Sequence, residues 1–488
     1  MQSSFSSLDW VVFGIYFLVI SITSIMLSRT KIDSSRDFFI TKNHMSTFAV
    51  AISVIATSQS AATFLGAPEY SYRSNFTFIG FYLSGVLGAV FVSFVLIPKF
   101  YALRVVTVYE LLEVRYGESA KKQAGVMFLL GRILASGARL YIGALAISMI
   151  LFNDILFSHI VISVSILMAG SVAYSYFGGI RSIIISDIIQ AFTYITAALA
   201  VLIFLYYSLE SVEIVKTLQE HNKLLFIDTS FDGEFSLIGL LSGWLLLNIA
   251  AYGLDQDLTQ RVLCCKNRAE ATKSLLISTL LTIPIVMIFL TIGVLLYLFY
   301  NQSGVVQSFQ GEKITIFMYY ILNEMPDGLR GLVTVGAVAT ALSSTTSVLG
   351  AMASVAVEDL YRPWKIKRGK TNEKHFIKAS RVAILFFAFM LSLMAIISYF
   401  WQRYGDLSLI SFALGVMAFA YTGLLGVYFS ALFTTRGNKT TVFWAFAGGF
   451  ITVLALQPYT FGINLGFSWQ ITIGTIVSFL IVQIKKGN

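Results

Sequence analysis

Runs of about twenty apolar residues recur along the chain, separated by short polar stretches. A helix of that length, rising ~1.5 Å per residue, crosses the hydrocarbon core of a bilayer. The pattern predicts spans over 9–28, 46–68, 76–97, 124–151, 159–177, 183–206, 237–254, 275–300, 329–356, 382–401, 407–432, 442–456 and 469–484, thirteen in all. Trp10 and Trp469 stand near span edges, where interfacial aromatics gather. The expectation is an all-α polytopic membrane protein with no domain linker. Segments 207–236 and 301–328 mix polar and apolar residues and are expected to hold short surface helices. Segment 99–122 alternates apolar and charged positions, as an interfacial amphipathic helix does.

Composition agrees. Of 488 residues, 57% are hydrophobic and 12% charged, against about a quarter charged in soluble chains. The net charge of +9 is unevenly placed. Segments 29–45, 97–122, 177–182, 255–274, 357–381, 433–441 and 485–488 hold 26 of the 34 lysines and arginines, and the alternate loops hold six. By the positive-inside rule the N-terminus is expected outside and the C-terminus in the cytoplasm of a cell (inner or plasma) membrane. The basic excess is thereby a topology signal and no nucleic-acid footprint. The basic loop 357–381 reads first as a topology determinant, with lipid headgroup binding as its alternative. No lysine or arginine precedes the first apolar run, which exceeds a signal-peptide core and is read as an uncleaved helix. Cys264 and Cys265 are adjacent in an expected cytoplasmic loop, so neither a disulfide framework nor a zinc site is implied. The four histidines are scattered, which argues against a histidine metal cluster.

Chemistry concentrates where spans are interrupted. Residues 53–63 (Ser53-Val-Ile-Ala-Thr-Ser-Gln-Ser-Ala-Ala-Thr63) and 246–253 (Leu246-Leu-Asn-Ile-Ala-Ala-Tyr-Gly253) are small and polar at mid-span, five spans apart. Two readings compete: weakened helices lining an enclosed cavity, as in transporters built from repeats, or close packing of small residues. In 339–347, the Ser343 carbonyl with the Thr346 and Ser347 hydroxyls, at i+3 and i+4, can converge on one point. Such neutral oxygens suit a small hard cation, although serine and threonine in membrane helices commonly bond back to their own backbone. Asp187 lies just inside an apolar span; a carboxylate there marks a cation site, or else reaches the headgroups beside Arg181. Arg132 and Arg139, seven apart, share a helix face and can snorkel, pair internally or meet an anionic solute, with pairing favoured.

The chain resembles the sodium:solute symporter family, which includes bacterial sodium/galactose, sodium/proline and sodium/sialic acid transporters. The resemblance rests on Ala56-Thr-Ser-Gln-Ser60, Phe177-Gly-Gly-Ile-Arg181 with Ser186-Asp-Ile-Ile-Gln190, Asp255-Gln-Asp-Leu-Thr-Gln-Arg261, and Ser343–Ser347. It implies a LeuT-like core of two inverted five-helix repeats, 46–206 and 237–432, with an extra helix and first loop (1–45), an outer loop (207–236) and two further helices (433–488). It also implies a sodium site from the carbonyls of Ala56, Gln59 and Ser343 and the hydroxyls of Thr346 and Ser347. Asp187, with Ser343 and Thr346, resembles a second sodium site of sialic acid members. Ser58, Ser60, Thr63, Tyr82, Asn248 and Arg139 are candidate solute contacts, and Tyr252 is a candidate gate. The arginine that clamps sialate in the family aligns with Ala135, and Arg139 lies one turn beyond; the acid of the proline branch is Ser58.

The function expected from these residues is sodium-coupled import of a small polar solute, a sugar or sugar acid, by alternating access. Monocarboxylate or amino-acid carriage, a solute sensor on the same fold and a channel are the alternatives. No filter sequence or charged ring suggests a channel, and no acid/base or nucleophile constellation suggests an enzyme. The expected ligands are sodium ions, solute and membrane lipid, with no obligatory protein partner evident.

Overall fold

Hydrocarbon offers no hydrogen-bond partner, so the backbone of such a chain must satisfy itself, and helices do so within one segment. The computed structural model describes residues 5–28, 34–41, 44–209, 213–231, 233–301, 308–309, 312–313, 315–369, 372–405, 409–462 and 465–485; parts of the expected basic segments, such as 29–33 and 486–488, lie outside them. The first half holds α1 (Ser7–Ser28), α2 (Ser35–Phe39), α3 (Thr47–Ser58), α4 (Ala61–Arg73), α5 (Ile79–Val95), α6 (Ile97–Leu103), α7 (Glu110–Tyr116), α8 (Glu118–Phe152), α9 (Phe157–Tyr207) and α10 (Ile214–Glu220). The second holds α11 (Leu237–Leu241), α12 (Gly243–Gly253), α13 (Gln256–Val262), α14 (Arg268–Asn301), α15 (Ile316–Asn323) and α16 (Leu329–Ser354), continued by a π-helical turn Val355–Tyr361. There follow α17 (Arg362–Ile366), α18 (Glu373–Gly405), α19 (Leu409–Phe433), α20 (Lys439–Ala455), α21 (Pro458–Phe461) and α22 (Phe467–Gln483).

Among the described residues, seven helical runs are long and apolar enough to cross a membrane, and two further spans are broken: α3–α4 bends by 63° and Leu237–Gly253 meets α13 at 55°. The polar interruptions at 53–63 and 246–253 thus sit at or beside true breaks. At 51 residues, α9 is roughly 75 Å long, far more than the ~30 Å core of a bilayer. It kinks at Gly179, where φ is 59° and ψ −170°, a backbone conformation that a side chain resists. The chain therefore turns at the Phe177–Arg181 stretch, between two expected spans. The longer connecting segments 207–236 and 301–328 carry the short helices α10 and α15.

Segment 99–122 departs from expectation. It is no single amphipathic helix: α6 ends with Arg104 in the left-handed region (φ 52°), and residues 105–109 form a buried link before α7. The β-branched run Val105-Val106-Thr107-Val108 disfavours helix, and its backbone is satisfied by tertiary contacts. Gln256 accepts from Val108 N (3.0 Å) and donates to Val106 O (2.8 Å). Tyr428 donates to Val108 O (2.7 Å), and Thr107 donates to Asp359 in the π-turn (2.7 Å).

At the centre lies α16, buried over most of its length and packed along α9, α8 and α3. Its N-terminus is capped from another helix: fully buried Asp9 of α1 accepts from Gly328 N (2.8 Å) and Gly331 N (2.7 Å). A carboxylate there satisfies orphan donors and complements the helix dipole. Glycines set the closest approach of α5 to α12, since a Cβ on Gly88 would stand 3.1 Å from Asn248 Cβ and 3.2 Å from Ile249 N.

Removing the cap tests whether α1 serves as the anchor of α16. Asp9→Ala is expected to destabilise the detergent-solubilised protein by about 1–2 kcal/mol, the usual worth of an N-cap. An unchanged midpoint of thermal unfolding would show the cap to be dispensable.

Candidate functional site

The break after α3 exposes oxygens. Gln59 and Ser60 are extended (φ −81° and −135°), and α4 begins at Ala61 with Ser60 as its N-cap. No described hydrogen bond ends on the Gln59 carbonyl, and both polar atoms of its buried side chain lack partners. Facing this break, the hydroxyls of α16 divide into two sets. Thr340, Ser344 and Thr345 bond back to their own helix at Ala337 O (2.7 Å), Thr340 O (3.0 Å) and Ala341 O (2.8 Å). Ser343, Thr346 and Ser347 are spared that role. Ser343 Oγ lies 3.3 Å from Ala56 O and 2.8 Å from Asp187 Oδ1. A hydroxyl has one proton, and the nearer carboxylate takes it, so the Ala56 carbonyl keeps a free lone pair. Ser347 Oγ is 3.3 Å from Thr57 Oγ1, whose proton is committed to Ser53 O (2.8 Å). Thr346 Oγ1 is buried without a partner.

These are neutral oxygens, one of them orphaned, between a broken helix and an intact one. That donor set suits a small hard cation. The five residues expected for sodium — Ala56, Gln59, Ser343, Thr346 and Ser347 — are thus drawn from the two elements, α3 with its break and α16, that pack together here.

Asp187 is fully buried, which removes the alternative of a carboxylate reaching the headgroups. Its Oδ2 accepts from Ser53 Oγ (2.5 Å) and from Arg261 Nη2 (3.1 Å) and Nε (3.3 Å). Arg261, itself fully buried, also donates to Ser53 Oγ (2.9 Å), Asp257 O (2.6 Å), Asp257 Oδ1 (3.2 Å) and Ser347 Oγ. Asp257 pairs in turn with Arg132, which lies 3.3 Å from Asp255 Oδ2, and Tyr421 donates to Asp255. Pairing, the favoured reading of the two arginines of α8, holds for Arg132 and not for Arg139. Among the described residues no carboxylate lies within ion-pair reach of Arg139; its Nη2 contacts Met417 Sδ at 3.1 Å and its Nε is buried without a partner.

One cavity of about 70 Å³ is lined by Ser58, Ser60, Thr63, Tyr82, Asn248, Tyr252 and Arg139 together. All six candidate solute contacts and the candidate gate therefore meet. Phe78, Phe81 and Leu247 add apolar wall, while Arg132, Asp255 and Tyr421 bring the ion-pair network to its surface. Asn248 donates to Phe81 O (3.1 Å) and Trp244 O (3.0 Å), which fixes its amide and leaves Oδ1 as an acceptor. Ser58 is weaker than expected, since its hydroxyl bonds back to Ile55 O (2.9 Å). Ala135 is buried and does not line the cavity, whereas Arg139 does.

Sequence reasoning gave no role to Arg261, Asp257, Asp255, Ser53 or Tyr421. The signal was the density of polar residues in Asp255–Arg261, a seven-residue run carrying three charges. Their partners lie on α3, α8, α9, α16 and α19, which no local pattern reveals.

A helical bundle with two broken spans beside a cavity of mixed polar and apolar lining is the architecture of a secondary transporter. Over residues 38–449 the chain matches the sodium:solute symporter family. The sodium/sialic acid symporter NanT of Aliivibrio fischeri is 26% identical, with 99% of this chain and 95% of that protein covered. The sodium/sialic acid symporter SiaT of Proteus mirabilis is 26% identical over 96% of this chain and 92% of that one. A solved substrate-bound, outward-open sodium-coupled sialic acid symporter superposes with a TM-score of 0.83 at 22% identity, over 98% of this chain and 97% of that one. The chain belongs to the sodium:solute symporter family, with the LeuT-type fold, and is a sodium-coupled carrier rather than an enzyme.

Thr346→Ala deletes an otherwise unpartnered oxygen and is expected to raise half-saturating sodium about tenfold, equivalent to ~1.4 kcal/mol, with little change in unfolding temperature. Ser347→Ala should act in the same direction and also strip Arg261 of an acceptor. Sodium titration of both purified variants, followed by thermal stabilisation, checks this; unchanged midpoints in both would remove these hydroxyls from the sodium site.

Proposed function

We propose that the chain imports a small polar anion, a sugar acid of the sialic type, together with sodium. The observation that carries this reading is Arg139, a half-buried guanidinium with no carboxylate within ion-pair reach among the described residues, on the wall of a cavity that carries several hydroxyls. A charge partly withdrawn from water without a counter-charge is costly, and a solute carboxylate supplies one. Ser60, Thr63, Tyr82 and the Asn248 Oδ1 then match the hydroxyls of a sugar, with Phe78 and Phe81 against its apolar face. The two sialic acid relatives support the same class. Ser58 contributes through its backbone more than its hydroxyl, and Tyr252, one turn from Asn248, acts as gate.

Sodium at Ala56, Gln59, Ser343, Thr346 and Ser347 would hold the broken helix to α16 and favour the solute-accepting state. Coupling requires that sodium bind one state more tightly than the other. Asp187 becomes available to a second ion only when Arg261 withdraws. The membrane potential adds about 2.3 kcal/mol per charge per 100 mV. The arrangement we assign is thirteen crossings, N-terminus outside and C-terminus in the cytoplasm, with inverted repeats over 46–206 and 237–432.

A thermal-shift screen of N-acetylneuraminate, galactose, pyruvate and proline, in sodium and in potassium, tests the solute class. The sugar acid is expected to stabilise most, and only with sodium. Arg139→Gln should weaken it by about 2–5 kcal/mol, the usual loss when one partner of a buried charge pair is truncated. Stabilisation by galactose that survives Arg139→Gln would overturn the anionic reading, and a preference for pyruvate would move the assignment to monocarboxylates.

A further inference from the structure

Arg261 touches two things that the carrier must link. On one side it donates to Ser347 Oγ, a candidate sodium ligand, and to Asp187. On the other it holds the Asp257 carboxylate, whose second oxygen pairs with Arg132 on the cavity wall. The five buried groups Asp187, Asp255, Asp257, Arg132 and Arg261 comprise three carboxylates and two guanidinium ions, which leaves one negative charge. A cation arriving beside them is therefore attracted by the cluster as a whole. It is repelled by the one member, Arg261, that already sits on its ligands. Arg132 and Arg261 are anchored on different helices, α8 and α13, and α13 follows directly on the break after α12.

The geometry points to Arg261 as a tethered cation that competes with sodium for Ser347 and Asp187 and, when displaced toward Asp257, carries sodium occupancy to the floor of the solute cavity. Arg261 is thus a positioning residue, acting through Asp257 and Arg132 without touching solute. This inference rests on the sodium-site assignment made above. The guanidinium holds α3, α9, α13 and α16 together through Ser53, Asp187, Asp257 and Ser347. Sodium entering beside Ser347 takes over the link between α3 and α16, and the freed guanidinium falls back on its Asp257 contacts. Asp257 then divides its charge differently between Arg261 and Arg132, and the break at Leu254–Asp255 is where α13 can shift.

The test uses the full-length protein in detergent and reads binding, not transport. Sodium midpoints come from thermal stabilisation, and coupling is the ratio of N-acetylneuraminate Kd in potassium to that in sodium. Arg261→Gln removes the competitor, so the sodium midpoint is expected to fall at least fivefold while the coupling ratio collapses toward one. Arg261→Lys keeps a charge but cannot bridge Asp187, Ser347 and Asp257 at once; it should retain a midpoint near that of the unmodified protein yet lose most of the coupling. Should Arg261→Gln fail to fold, the Arg261→Gln/Asp187→Asn pair removes one charge of each sign, and its coupling ratio is expected near one. A sodium midpoint that is unchanged or raised in Arg261→Gln, or a coupling ratio preserved in Arg261→Lys or in the double variant, would overturn the proposal. Thr346→Ala measured alongside separates the two layers. If it shifts the sodium midpoint and Arg261→Gln does not, the sodium site stands and the role of Arg261 falls; if it shifts nothing, the site assignment fails first.

Discussion

A backbone carbonyl or amide freed inside a membrane has no water to turn to, and the structure is organised around two places where helices are nevertheless interrupted. At Gln59–Ser60 and at Leu254–Asp255 the chain bends by 63° and 55°, and each freed group must find protein or ligand. Around the first break lie the Ala56 and Gln59 carbonyls, Ser343, and the Thr346 and Ser347 hydroxyls; around the second lie Asp255, Asp257 and Arg261. Intact helices frame both breaks. Asp9 pins the start of α16 from a helix outside the core, and Gly85 and Gly88 let α5 lie against Asn248. Rigid neighbours make the oxygens at a break a site instead of a defect.

Charge is the second organising element. Buried ion pairs contribute little net stability, because desolvation offsets most of their attraction, yet losing one partner is severely destabilising. A network of two arginines and three aspartates is thus poor cement and a sensitive balance. Two unit positive charges ~4 Å apart repel by about 4 kcal/mol at an effective dielectric constant of 20. A sodium ion beside Ser347 would meet a repulsion of that order from Arg261, which exceeds what most single contacts contribute. Arg139 shares the cavity wall with Arg132 and Asp255 but has no carboxylate within ion-pair reach among the described residues, and the proposed solute anion would balance it. On the reading proposed above, one sodium would complete the cluster of five and one monoanion would complete Arg139, so cation and anion together would bring these six groups to neutrality.

Solute recognition shows how one helical turn alters chemistry without altering the fold. Ala135, where the family resemblance would put a carboxylate-clamping arginine, is buried and does not line the cavity, while Arg139 lines it from one turn further along α8. A displacement of ~6 Å along the axis moves the positive charge relative to Thr63, Tyr82 and Asn248. On the reading proposed above, a clamp so displaced would accept a carboxylate with different spacing to its hydroxyls, and would distinguish substrates within one class in this way.

The membrane class was legible in the amino-acid sequence, and the polar interruptions and the Ser343–Ser347 hydroxyls were visible as candidates, because each follows from local causes; the full set of sodium oxygens came from the family resemblance. Hydrophobic length follows from bilayer thickness, helix breaks from small polar residues at mid-span, and convergence of Ser343, Thr346 and Ser347 from the helical repeat. Residues 99–122 misled because their alternation fits a surface helix, whereas Gln256, Asp359 and Tyr428 bury the link at 105–109 from a distance of well over a hundred positions along the chain. Likewise, a lone buried aspartate at 187 and two arginines on one face of α8 were visible as anomalies, but not their partners. That Asp187 belongs to Arg261, that Arg132 is paired while Arg139 is not, and that Thr346 alone among its neighbours lacks a bond are facts of tertiary packing. They depend on which helices lie side by side, and a linear pattern carries no record of that.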